Sequence, residues 1–213
     1  MVYDINSEKF NDVADKLSST AAFFYNQGWM YATSGNLSTV LNNDPLELAI
    51  SASGALKGSL DRSKFIVVDS DGKVISGDLK PSAETLLHIE VVQRVQAKCI
   101  SHTHSKWATV LSQKYGDEGG FYMKDLEMLK ALDGVKTHQH EEWIPILENS
   151  QDMKDLSRKV GKLLDSRNNL HCFLLKGHGM YTWGNSMEQT RINVEALEFL
   201  MEVHGMTSLL QKV

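Results

Sequence analysis

At 213 residues, with 42% hydrophobic and 23% charged side chains, the chain has the make-up of an ordinary folded protein long enough to bury a substantial core. A net charge of -5 provides no basic field for nucleic acid, so any bound anion must be met by a local metal, a lysine or clustered backbone N–H groups. No apolar run reaches the length of a membrane span, and Met1-Val2-Tyr3-Asp4 lacks the pattern of a signal peptide, so a cytoplasmic protein without a membrane partner is expected.

Residues 7–27 place Phe10, Val13, Ala14, Leu17, Ala21 and Phe24 at spacings of three and four, which predicts an amphipathic helix closed by Gly28. Thr33-Ser34-Gly35-Asn36-Leu37-Ser38 reads as a turn entering a strand. Strands are expected at 46–50, 65–68 and 73–75, with Asp71-Gly72 as a hairpin turn. Pro81 suits the first turn of a helix lined by Leu87, Val91 and Val95, with Glu84 and His88 four apart on another stripe. A short buried strand at 97–104 is followed by a helix at 106–113, a loop at 116–120 and a short helix at 125–132. A strand at 143–147, a helix at 153–164, strands at 172–176 and 180–183 and a long helix at 186–210, broken near Gly205, complete the chain. Cys99 and Cys172 fall in apolar runs and are expected as free buried thiols. The absence of repeats, linkers and a regular βαβ rhythm predicts one domain over 1–213, an α/β fold with helices on both faces of a mostly antiparallel sheet.

The most informative stretch is Ala97 to Ser105, a strand ending in His102-Thr103-His104. Side chains at i and i+2 of a strand share a face, so the two imidazoles stand side by side as two members of a potential metal site. His138-Gln139-His140 has the same spacing, but Glu141 and Glu142 beside it read as a solvated loop, and it is left out of the site.

Thr33-Ser34-Gly35-Asn36, Ser53-Gly54, Lys80-Pro81-Ser82-Ala83-Glu84, His102-Thr103-His104 and Lys176-Gly177-His178-Gly179 occur in the order found in the class II aldolase/adducin family, which the chain resembles over nearly its whole length. The resemblance implies a single-domain three-layer α/β/α sandwich and a zinc ion held by His102, His104 and His178. It also implies a phosphate site in which N–H groups beside Gly35 and Gly54 form an anion nest with Thr33, Asn36, Ser53 and Ser82, while Lys57 adds charge. Small neighbours would let the His178 turn approach the metal closely.

Within the family the motifs are most similar to a branch that dehydrates a phosphorylated ketose, with Glu127 in the place of its general base. Glu84 matches the carboxylate that aldolases of the family use near zinc, and some dehydratases carry a cysteine there instead. Sugar-phosphate aldolases, 4-epimerases and a non-catalytic adducin-like module therefore stay open as alternatives. His88 is expected behind the metal site or in the core rather than as a fourth ligand. Four-fold homotetramers with active sites near subunit interfaces are implied, and Tyr31, Phe121 and Tyr122 are candidates for an apolar pocket.

Overall fold

The computed structural model describes residues 5, 7–167 and 169–211; the Met1–Asp4 stretch lies outside them. Helix α1 (Glu8–Asn26) begins where the Ser7 hydroxyl accepts a hydrogen bond from the Phe10 N–H. It buries Phe10, Leu17 and Phe24 completely or nearly so, each contributing about 1.5–3 kcal/mol. Gly28, at φ +73°, then turns the chain away.

Among the described residues, nine strands follow, interleaved with four more helices: β1 (Asn36–Asn43), β2 (Leu46–Ser51), β3 (Phe65–Val68), β4 (Val74–Ser76), α2 (Thr85–Val95), β5 (Cys99–Thr103), α3 (Lys106–Tyr115), β6 (Gly120–Lys124), β7 (Glu141–Leu147), α4 (Met153–Ser166), β8 (Cys172–Leu175), β9 (Gly179–Gly184) and α5 (Met187–Leu210). They form one sheet in the order β4-β3-β2-β1-β5-β9-β8-β7-β6. Every neighbouring pair is antiparallel except β7 and β8.

Alternation along the strands divides the core in two. Ala49, Phe65, Val67, Cys172 and Leu174 pack with α1, α3 and α5. Leu48, Ile50, Ile66, Val68, Ile100, Phe173 and Leu175 pack with α2 and α4. Because both faces are covered, the middle strands are apolar on successive residues, as the fully buried Phe65–Val68 illustrates. This is the three-layer α/β fold expected, and both cysteines are buried and free.

The structure corrects three local readings. The expected loop at 116–120 is a 3-10 turn leading into edge strand β6, whose Phe121 and Met123 point inward and Tyr122 and Lys124 outward. A Cβ on Gly120 would lie 2.5 Å from the Ile144 carbonyl, so a glycine is what lets this strand start against β7. The expected helix at 125–132 is a 3-10 turn over Glu127–Ala131. Helix α5 runs on through Gly205, which serves packing rather than termination, since a Cβ there would lie 2.2 Å from the Trp107 ring.

Candidate metal centre and active site

Strand β5 lies mid-sheet, hydrogen-bonded to β1 and β9, and its register sets His102 opposite Asn36 on one side and Tyr181 on the other. His104 stands just beyond the strand end, where its N–H donates to the Trp29 carbonyl at 2.8 Å. The His102 and His104 Nε2 atoms are 2.8 Å apart. His178 occupies the turn joining β8 to β9, with Gly177 at φ +64° and Gly179 so close to β5 that a Cβ would lie 2.1 Å from the Thr103 carbonyl. Its Nε2 atom is 3.3 Å from that of His102 and 3.2 Å from that of His104. Glu84, immediately before α2, sets Oε1 at 3.0 Å from His178 Nε2 and 3.5 Å from His102 Nε2.

One donor atom from each of Glu84, His102, His104 and His178 lies within 4.8 Å of the others, and the four could hold a metal ion. Three imidazole nitrogens converging beside a carboxylate form a donor set that a cation could bridge. Tetrahedral Zn–N bonds of about 2.0–2.1 Å place such nitrogens roughly 3.3 Å apart, close to the spacing found here. The outer nitrogens are already engaged: His102 Nδ1 meets the Met180 carbonyl at 3.0 Å and His178 Nδ1 meets Asn149 Oδ1 at 3.3 Å, which turns both Nε2 lone pairs inward. Burial, aided by the neighbouring His102 and His178, pushes His104 down to about 3, so its ring is neutral and free to ligate. Burial works against a charged Glu84, but its contacts with His102 and His178 outweigh it and hold its carboxyl well below the usual range.

Sequence reasoning missed two supports of this cluster. Tyr181 stacks on His102 at 4.0 Å and 11°, with Phe173 on its other face at 4.8 Å and 8°. Its buried hydroxyl has no hydrogen-bond partner among the described residues. Tyr181→Phe is accordingly expected to keep metal content and to raise stability, by about 1–3 kcal/mol at most; a clear loss in thermal unfolding would count against this account. Behind the strand, Glu198 is buried and accepts a hydrogen bond from Thr103 Oγ1 at 3.3 Å, anchoring the residue between the two histidines. Burial pushes this carboxyl up to about 7, against the lowering effect of Ser105 and Thr103. Nothing in the acidic pattern of α5 distinguishes Glu198 from its exposed neighbours.

A cavity of about 110 Å³ adjoins the cluster, with Glu84 and His104 in its wall. The remaining wall brings together every residue expected to meet phosphate: Thr33 and Gly35 from the turn before β1, Asn36 from the start of β1, Ser53, Gly54 and Lys57 from the segment after β2, and Ser82. Gly35 and Gly54 have φ of +80° and +74°, the left-handed conformation that turns successive N–H groups to one side. Lys57 is 1% exposed, and burial pushes its amine down to about 8 despite the pull of Glu84.

Glu127 is placed elsewhere. Its carboxylate is 72% exposed, pairs with Lys130 and lies 3.7 Å from His138, and it shares a surface hollow with Met128, Phe199 and Val203. The structure does not bring it to the His102, His104 and His178 cluster of its own chain. Of the aromatic candidates, Tyr31 lines an open groove with Trp29 and Trp107, Phe121 packs in the core against Tyr115 and His204, and exposed Tyr122 rests on Trp143. The segment read as a solvated loop at 138–142 holds a buried carboxylate. Glu142, 2% exposed, meets His140 Nε2 at 2.7 Å and His171 Nδ1 at 3.0 Å.

A family model described as "Class II Aldolase and Adducin N-terminal domain" matches residues 15–204. The chain belongs to the class II aldolase and adducin family. It is 39% identical over 199 residues to a methylthioribulose-1-phosphate dehydratase of Stenotrophomonas maltophilia, covering 93% of this chain and 92% of that protein. It is 38% identical over 203 residues to the protein of the same name from Persephonella marina, covering 95% and 93%. Among solved structures, L-fuculose-1-phosphate aldolase from Thermus thermophilus superposes with a TM-score of 0.75 at 22% identity, covering 97% of this chain and all of that one, and so shares the fold. No helix of the described residues is long and apolar enough to cross a membrane.

Proposed function

We propose that this protein is a zinc-dependent dehydratase of 5-methylthioribulose 1-phosphate, acting in methionine salvage as a cytoplasmic homotetramer. The observation that carries the reading is the contiguity of two sites: a three-histidine, one-carboxylate cluster opens into a cavity of glycine turns, hydroxyls and a buried lysine. A phosphate seated there, on Lys57 and the N–H groups beside Gly35 and Gly54, directs the ketose carbonyl toward His102, His104 and His178.

A zinc ion on those three histidines supplies Lewis acidity, which makes the proton on C3 of a 2-ketose removable near neutral pH. The residues supply the rest. A carboxylate takes the C3 proton, the C3–C4 double bond forms as hydroxide leaves C4 with a proton, and the resulting enol tautomerises to the 2,3-diketo-5-methylthiopentyl phosphate. Overall the reaction is loss of one water. Glu127 is the proposed base, supplied to the cluster of a neighbouring subunit; its exposure beside an apolar surface of Met128, Phe199 and Val203 supports that arrangement. Glu84 is the second carboxylate, close enough to the histidines to orient the substrate hydroxyls.

One observation favours a second reading. Glu84 stands in the cluster where an aldolase of the family would carry its acid–base group, and from there it could deprotonate the C4 hydroxyl and break C3–C4. Mass spectrometry of zinc-loaded protein with methylthioribulose 1-phosphate separates the two. A product lighter by one water supports the dehydratase; dihydroxyacetone phosphate with a methylthio aldehyde makes the protein an aldolase.

A further inference from the structure

Four side chains, two from β1, one from α2 and one from the residue just before α2, form a line that is buried up to its end at the metal centre. The Asn36 amide is fixed by its far end: its Nδ2 donates to Glu84 Oε2 at 2.8 Å, and a carboxylate there can only accept. Its Oδ1 therefore faces His88, whose Nε2 must carry the proton it donates. That leaves His88 Nδ1 as an acceptor, and the Ser38 hydroxyl donates to it at 2.7 Å. All donors run one way, from Ser38 to His88 to Asn36 to Glu84. Glu84 Oε2 is thereby held, and Oε1 is aimed at His178 and His102.

The scaffold makes the line rigid. Asn36 and Ser38 lie two apart on β1 and pair with His102 and Ile100 of β5, so their side chains share a face. His88 sits one helical turn beyond Glu84. Its ring is fully buried and meets the edge of Tyr181 at 5.7 Å. Other arrangements would satisfy a buried histidine; this one spends both nitrogens on fixing a single rotamer of an active-site carboxylate.

We propose that His88 is a positioning residue, kept as the neutral Nε2–H tautomer by Ser38, which acts through Asn36 to set the orientation of Glu84 at the metal centre. The complete burial that pushes His88 down to about 3 agrees with a neutral ring. The proposal rests on Glu84 belonging to the metal centre, and its test is independent of the reaction assigned above.

Nitrogen-15 NMR of histidine-labelled protein reads the tautomer directly. The wild type is expected to show His88 protonated at Nε2 alone, and protonation at Nδ1 would overturn the proposal. The visible spectrum of the cobalt(II)-loaded protein reports the geometry of the ligand set. It is expected to shift in His88→Phe, which fills the space but cuts the line, and to return toward wild type in His88→Gln. In turnover, His88→Phe is expected to lower kcat by about 10- to 100-fold with KM within twofold. Ser38→Ala, the milder variant, should lower kcat less, and should add nothing in the His88→Phe background because it works only through that ring. A wild-type cobalt spectrum in His88→Phe, or additive losses in the double variant, would sink the idea. If the wild type fails to turn over the ketose phosphate, the reaction assignment falls while tautomer and spectrum still decide the role of His88.

Discussion

Co-expressing Glu127→Gln chains with His104→Ala chains is expected to restore activity that neither variant has alone. With Glu127 as the proposed general base, its loss should lower turnover by about 10²- to 10⁴-fold in the first. The second lacks a member of the metal cluster. If Glu127 serves the neighbouring subunit, a mixed assembly contains sites that pair intact histidines from one chain with an intact glutamate from the next. In an equal mixture this holds for about one site in four, since each half is intact with even odds in a symmetric ring. Should Glu127 act on its own chain, every site in the mixture carries one defect and no activity returns. The exposed position of Glu127, apart from the metal-site histidines of its own chain, is what makes the experiment decisive. No recovery, together with full inactivation by Glu84→Gln, would move the base to Glu84.

Lys57→Met is expected to weaken substrate binding while making the protein more stable. If the cavity takes the phosphate as proposed, the amine is a fixed positive charge beside it, and charge-assisted bonds to phosphate are worth about 1.5–3 kcal/mol, so KM should rise by roughly 10- to 100-fold. Free of phosphate, the same charge is a burden, because burial lowers its pKa from 10.5 to about 8. A lysine whose folded pKa is depressed penalises folding fully below the folded pKa, and the penalty is relieved as pH rises towards the unfolded pKa. The stability gained by Lys57→Met should therefore be largest below pH 8, on the order of 3 kcal/mol, and shrink between about pH 8 and 10.5. Denaturant titrations at pH 7 and pH 10 measure the difference, and an equal gain at both would show that desolvation of the charge is not its source.

Local patterns carried the reading of this protein well where the relevant partner was close in sequence. The two-residue spacing of His102 and His104, the stripe of Leu87, Val91 and Val95, and the glycines around His178 each state a geometric requirement on their own. Strand β6 escaped because Gly119-Gly120 advertise a turn, and because an edge strand with Tyr122 and Lys124 facing solvent has little apolar signal. Glu142 was misread because the more buried of its two histidine partners, His171, comes 29 residues later. The same holds at the active site. Each side chain on the Ser38–His88–Asn36–Glu84 line is visible in the sequence, but their direction emerges only when β1 and α2 are packed together. Glu127 shows the reverse limit, a motif position whose partner, on the reading proposed here, lies on another chain.

The three histidines differ in what holds them. His102 belongs to a strand with ladders on both sides, whereas His178 rides on a short turn held by Ser112, which accepts from the Gly177 N–H, by Thr109, which donates to the His178 carbonyl, and by the pairing of Lys176 with Asp117 and Glu148. Amides of β5 should therefore exchange with solvent hydrogen only through global opening, and those of Gly177 to Gly179 through local fluctuations. The turn can swing without a single β5 ladder bond breaking. Local opening of this turn, which a few side-chain contacts hold, is therefore expected to uncover the histidine cluster without unfolding the sheet.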